Sequence, residues 1–202
     1  MKPLRVAAIV EGHGEVKALP ILIQRIAREW DKEQTVVVDQ PYRVPASSLK
    51  KDGVLEGYIE LAARKLGGKG GILVLLDCDW DDGCPRFDGP AWLERVRRAR
   101  PNMPISLVFA YKEYEAWFIA AAESIRGRCG LSKTLEPPPN PEQIRGAKEW
   151  LSNHMPANRP YSQTMDQPAL TRIIDLQAAR RADSFDKCYR EITALLNRLR
   201  VE

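Results

Sequence analysis

The sequence predicts an α/β fold: a parallel sheet of about four strands with helices on both faces, followed by a C-terminal helical extension. Two observations carry this expectation. Apolar runs alternate with segments of helical period over the first 125 or so residues, and short crossovers of that kind imply a parallel sheet. The run GGILVLLDCD, residues 70–79, is apolar without alternation until its acidic end, which is how a strand buried on both faces reads.

The elements follow in order. LRVAAIV, 4–10, is a short strand ending at the turn EGHGE. Val16, Leu19, Leu22, Ile23, Ile26 and Trp30 recur at spacings of three and four, so 15–31 is a helix with one apolar face. Pro20 suits a regular helix that starts near it. TVVVDQPYRV, 35–44, is β-branched and reads as a strand ending near Pro41 or Pro45. Residues 53–66 return to helical period and stop at Gly67-Gly68. After the buried strand, 89–101 is a helix with a basic outer side, 105–110 a strand, and the chain turns helical near 111–115. TLEPPPNPEQ, with four prolines, is an extended loop. Helical patterns at 141–153, 167–181 and 183–200 complete the chain. The expected division is 1–130 for the α/β domain and 131–202 for a helical extension packed on it as one unit.

Composition narrows the function. The 202 residues are 44% hydrophobic and carry a net charge of +4, which permits a nucleic-acid partner without demanding one. No apolar run reaches the roughly 18 residues of a membrane span. The start MKPLRVAAIVEGHGE reads as a first strand rather than a signal peptide. Four cysteines without a CxxC pair, and two histidines, argue against zinc and for reduced thiols in a cytoplasmic setting.

The chemistry gathers at strand ends. Ligands of open α/β sheets sit outside the carboxyl ends of the strands, and three such ends here are acidic. Glu11 and Glu15 follow the first strand. Asp77 and Asp79 end the buried one, with Asp81 and Asp82 close behind. Glu113 and Glu115 follow the strand 105–110. Asp77 and Asp79 are two apart and on extended backbone point the same way. They could hold a Mg²⁺ or Mn²⁺ ion, which prefers carboxylate oxygens. Gly12 and Gly14 permit close backbone approach around His13. Each motif also has a plain reading: a solvated acidic loop, or carboxylates at a helix start, where they suit the dipole.

A strand ending in EGxxE (Glu11-Gly12-His13-Gly14-Glu15) and a later strand ending in DxD (Asp77-Cys78-Asp79) resemble the Toprim domain of topoisomerases, primases and overcoming-lysogenization-defect (OLD) family nucleases. With the YKEYEAWF block and the late stretch from YSQTMDQPALTRIIDL to SFDKCYREI, the chain more narrowly resembles the DUF4276 family of small Toprim-like proteins. The resemblance implies a Toprim/Rossmann-like sheet. It implies Glu11 as general acid/base or metal ligand, Asp77 and Asp79 as metal ligands, and Glu15 and Glu115 as further ligands where one or two ions are held. It implies a metal-dependent nuclease acting on DNA or RNA, with a separately encoded ATPase partner, in phage defence or DNA repair. The chain has no GxxxxGK phosphate loop of its own.

Among cations, Arg159 is the candidate to stabilise transition-state charge. Lys112, Arg180 and Arg181 are candidates for the nucleic-acid backbone. Arg95, Arg97, Arg98 and Arg100 lie on one helix and equally suit a solvated basic face. Trp80 and Trp117 flank the acidic ends, where packing under the site competes with base stacking. Two rivals stay open. DCDWD resembles the DxDxT nucleophile motif of haloacid-dehalogenase-type phosphatases, although its fifth position is Asp81. The other rival is a non-catalytic module that docks nucleic acid or a partner.

Overall fold

The computed structural model describes residues 2–49, 51–79 and 83–201; Trp80, Asp81 and Asp82 lie outside the described residues. The sheet is parallel throughout, in the order β2 (Val36–Val38), β1 (Leu4–Val10), β4 (Gly71–Cys78), β5 (Ile105–Tyr111), with β3 (Tyr42–Arg43) also paired to β1 beyond the end of β2. Every residue of β4 is buried, as its unbroken apolar run requires.

Strand alternation sorts the core into two layers. Val6, Ala8, Val10, Leu73, Leu75, Val108 and Ala110 face helices α1 (Glu15–Trp30), α5 (Ala116–Ala120), α7 (Gln163–Ile173), α8 (Leu176–Ala179) and α9 (Asp183–Val201). Ala7, Ile9, Ile72, Val74, Leu76, Leu107 and Phe109 face α3 (Val54–Lys65) and α4 (Pro85–Ala99). Leu151, Leu170, Phe185 and Leu196 of the C-terminal part share the first core with the sheet. Ser184 fastens this part further: its Oγ accepts the backbone N–H of Tyr111 at 3.1 Å and the indole N–H of Trp117 at 2.8 Å.

Several boundaries differ from expectation, each for a local reason. The strand foreseen at 35–44 is two short pieces, because Pro41 offers no N–H to a ladder and Asp39 turns to Arg5, 3.0 Å away. Helix α1 runs from Glu15 straight through Pro20. Helix α4 starts at Pro85, where proline suits a first turn, four residues before the expected Gly89. The helix foreseen at 167–181 breaks after Ile173, and Asp175 caps α8 by accepting the N–H groups of Gln177 and Ala178 at 2.8 and 2.9 Å. The pattern at 141–153 is a 3₁₀ turn, Pro141–Gln143, then helix α6 (Ala147–Asn153). A short α2, Ala46–Leu49, was not foreseen. No helix among the described residues is long and apolar enough to cross a membrane.

Candidate functional site

Because β1, β4 and β5 are neighbours, their carboxyl ends present Glu11, Asp77 with Asp79, and Glu113 with Glu115 along one rim. Asp77 shares the face of Leu73 and Leu75, so it points into the layer of α1, α5 and α7. There it is buried, and its Oδ1 accepts the backbone N–H of Tyr114 at 3.1 Å. Asp79 lies one residue past the end of β4 and is exposed. The alternation that would align the two aspartates therefore ends between them. Asp79 and Glu11 instead line a small cavity of about 240 Å³ with Ser47, Leu76 and Trp92.

Glu15 opens α1 and is fully buried. Its Oε2 accepts the backbone N–H groups of Glu11 and Gly12 at 3.2 and 2.9 Å, which holds the EGHGE turn closed. Glu115 is also fully buried; its Oε1 accepts the hydroxyl of Tyr161 at 2.9 Å and the amide of Gln167 at 3.3 Å. Glu113 serves α6: its Oε2 accepts the N–H of Ala147 at 2.7 Å, and its Oε1 takes the ammonium of Lys148 at 2.5 Å. The glycines supply room rather than conformational freedom. Gly14 has an ordinary helical φ of −70°, yet a Cβ there would strike the Gln167 amide and would lie 2.5 Å from the Gln163 carbonyl. Helix α7 thus lies directly against the turn.

Charge crowding shows in the carboxyl groups. Burial, then the charges of Asp79 and Glu15, push Glu11 up to about 7. Burial pushes Glu115 up to about 7 against the pull of Lys148 and the Tyr161 hydroxyl. Asp77 is held well above the usual carboxylate range by burial and by Glu15 and Glu115. Burial also raises Glu15, against its two backbone N–H donors. Burial alone would lower the Lys148 ammonium, but Glu115, Glu113 and Asp77 overcome it and raise its pKa.

A hard divalent cation fits this donor set in kind. Oε1 of Glu15 and Oε2 of Glu115 are buried carboxylate oxygens without a hydrogen-bond partner, and such oxygens are the ligands Mg²⁺ and Mn²⁺ prefer. Among the described residues, however, no three His, Cys, Asp or Glu side chains are already closed around one point. Glu15 is turned back on its own turn and Lys148 stands beside Glu115, so ion binding requires these side chains to rotate.

Three of the four expected cations are engaged elsewhere, and the fourth, Lys112, stays on the rim. Arg159 does not reach the carboxylates: it donates to Asp166 Oδ1 at 2.7 Å and to the Cys129 carbonyl, tying the 129–130 loop to α7. Arg180 pairs with Asp186 at 2.7 Å and lies over the Tyr189 ring. Arg181 pairs with Glu123 at 2.8 Å. Lys112 follows β5 on the rim itself, its N–H donated to the Cys78 carbonyl at 3.1 Å. On α4, Arg95 and Arg100 serve Glu56 and Glu60 of α3, and Arg98 serves Glu94. Trp117 is buried under the site. Cys78 packs on the α3/α4 side, away from Asp77.

Sequence reasoning missed Lys148, Tyr161 and Gln167. Lys148 had no signal, being one lysine on a short helix. Gln167 had one: Gln163, Gln167 and Thr171 recur every fourth residue of α7, and Gln167 and Thr171 are fully buried. Polar residues on a helix's inner face mark a partner there.

A family model described as a domain of unknown function (DUF4276) matches residues 10–193. The chain belongs to the DUF4276 family. The match runs from Val10, beside Glu11, into α9, so in this DUF4276 protein every carboxylate of the rim, Lys148 and α7 fall inside the family's span. No curated protein and no solved structure matches the chain.

Proposed function

We propose that this DUF4276 protein is a Toprim-like, metal-dependent phosphodiesterase acting on nucleic acid. The observation that carries the reading is the placement of Glu11, Asp77, Asp79, Glu15 and Glu115 at the ends of three adjacent parallel strands, with two buried carboxylate oxygens left without partners. One or two Mg²⁺ or Mn²⁺ ions held by these residues would neutralise charge on the phosphate and polarise the attacking water. Glu11, titrating near neutrality, is suited to take a proton from that water and to return one to the leaving oxygen. Tyr161 and Gln167 hold Glu115 in place. A separately encoded ATPase partner, in phage defence or DNA repair, belongs to this proposal through the family resemblance.

The test is cleavage of single- and double-stranded DNA and RNA with Mn²⁺. Glu11→Gln and Asp77→Asn are expected to lose about 100-fold or more. Variants that cut as well as wild type would show that the activity belongs to a contaminant. One observation favours a second reading, a non-catalytic docking module. Lys148 already supplies a cation to Glu113 and Glu115. That reading requires calorimetry to detect no Mn²⁺ binding.

A further inference from the structure

Two cations that make no ion pair among the described residues flank the acidic cluster, one on each side. Arg43 ends β3, and its Nη1 donates to the Glu11 carbonyl at 3.5 Å. Lys112 follows β5 and is anchored by its N–H to the Cys78 carbonyl. Both are half-buried. The strand order places them as the outer members of a row: Arg43 on β3, Glu11 after β1, Asp77 and Asp79 at β4, Lys112 after β5.

Lys112 has a second peculiarity. Its φ is +66°, in the left-handed region, a backbone position that glycine or asparagine fills with less strain. A lysine placed there, next to the acidic ends, points to a use for its side chain. Its ammonium lies 5.0 Å from the centre of the Tyr111 ring, with no carboxylate engaging it among the described residues. By contrast Arg95, Arg100, Arg159, Arg180 and Arg181 are all spent on carboxylates of the same chain.

We propose that Arg43 and Lys112 are the phosphate contacts of this site, and that a single-stranded polynucleotide crosses the rim from β3 to β5, perpendicular to the strands, with Glu11 and Asp79 beneath its middle. The proposal rests on the phosphodiesterase reading for the position of the scissile bond, but not for the binding it predicts. Three strand spacings of about 4.8 Å separate the two cations' strands, roughly 14 Å. The Arg43 guanidinium reaches inward to the Glu11 carbonyl, so the two charges lie closer together than the strands that carry them. The two positive ends hold the polynucleotide across the carboxylates, whose repulsion weakens binding without abolishing it when no divalent cation is bound.

The test is fluorescence anisotropy of the full chain with short fluorescein-labelled single-stranded DNA and RNA, in chelator, over a salt series. Each lost phosphate contact lowers the slope of log K against log salt by about 0.7 for single strands. Arg43→Ala with Lys112→Asn is therefore expected to lower it by about 1.4; asparagine tolerates the backbone at 112. Arg43→Lys with Lys112→Arg is expected to keep the slope. Lys32→Ala with Lys69→Ala removes equal charge at the opposite rim and is expected to leave it unchanged. The proposal is overturned by an unchanged slope in the Arg43/Lys112 variant, by an equal fall in the Lys32/Lys69 variant, or by a wild type that binds neither nucleic acid. A wild type that binds with the expected slope but cuts nothing with Mn²⁺ supports the phosphate track and overturns the hydrolase reading alone.

Discussion

The ammonium of Lys148 stands 3.7 Å from Oε2 of Glu115, a buried oxygen that has no hydrogen-bond partner. The pair is held apart because Lys148 also donates to Glu113 at 2.5 Å. One cation thus serves a wall of carboxylates that outnumbers it, and burial, followed by the neighbouring carboxylates, keeps the pKa values of Asp77 and Glu115 raised despite it.

Replacing Lys148 by Met leaves Glu115 and Asp77 buried without a counter-charge. Breaking a fully buried pair costs roughly 3–5 kcal/mol; the partly exposed ammonium brings this to about 2 kcal/mol. The loss of melting temperature is expected to be larger at pH 8, where Glu115 is ionised, than at pH 5, where a proton replaces the lysine. Equal losses at both pH values would place the role of Lys148 in packing alone.

The metal-free protein is expected to lose stability as pH rises. Glu11 and Glu115 titrate near 7 in the fold and near 4.5 when unfolded. Between those values the native state binds more protons at these two groups, so their contribution to stability falls with rising pH, and that contribution levels off below about 4.5 and above about 7. For Glu115 the span amounts to about 3 kcal/mol at 1.36 kcal/mol per pH unit. Melting curves in chelator check the slope; Glu115→Gln flattens it, and Mn²⁺ at pH 8 restores the lost stability if the ion binds there.

Gly14→Ala tests the contact between the turn and α7. Its methyl would meet Gln163 backbone and the Gln167 amide, and backbone cannot step aside cheaply. A cost of about 1–3 kcal/mol is expected, with a fall in melting temperature. Gly57→Ala is the counterpart: it lies inside α3 with nothing within 4 Å of the added carbon. That change is expected to stabilise by about 0.4–1 kcal/mol.

Arg159→Ala separates structure from catalysis. Among the described residues it leaves buried Asp166 with the Ser162 N–H alone, at 2.8 Å. A stability loss of about 1–3 kcal/mol is expected, and Asp166→Ala added to it costs less than the sum of the two single changes. An intact fold with cleavage abolished would return Arg159 to the chemistry.

The β-α order, the parallel sheet and the acidic strand ends follow from periodicity and from where each apolar run stops. Even the identity of β4 as the doubly buried strand was legible in residues 71–76. The boundaries of strands and helices were less so, because Asp39, Asp175 and Glu113 set them through hydrogen bonds that spacing does not reveal.

Which charges meet is a matter of folding in three dimensions. Long arginine side chains reach acids on other helices, so Arg159, Arg180 and Arg181 left the site for Asp166, Asp186 and Glu123. Lys148 entered it because Glu113, 35 positions earlier, caps the helix on which it sits. A strand's end is fixed by local pattern, whereas a counter-charge is chosen by distance in space, and one-dimensional spacing carries no record of that distance.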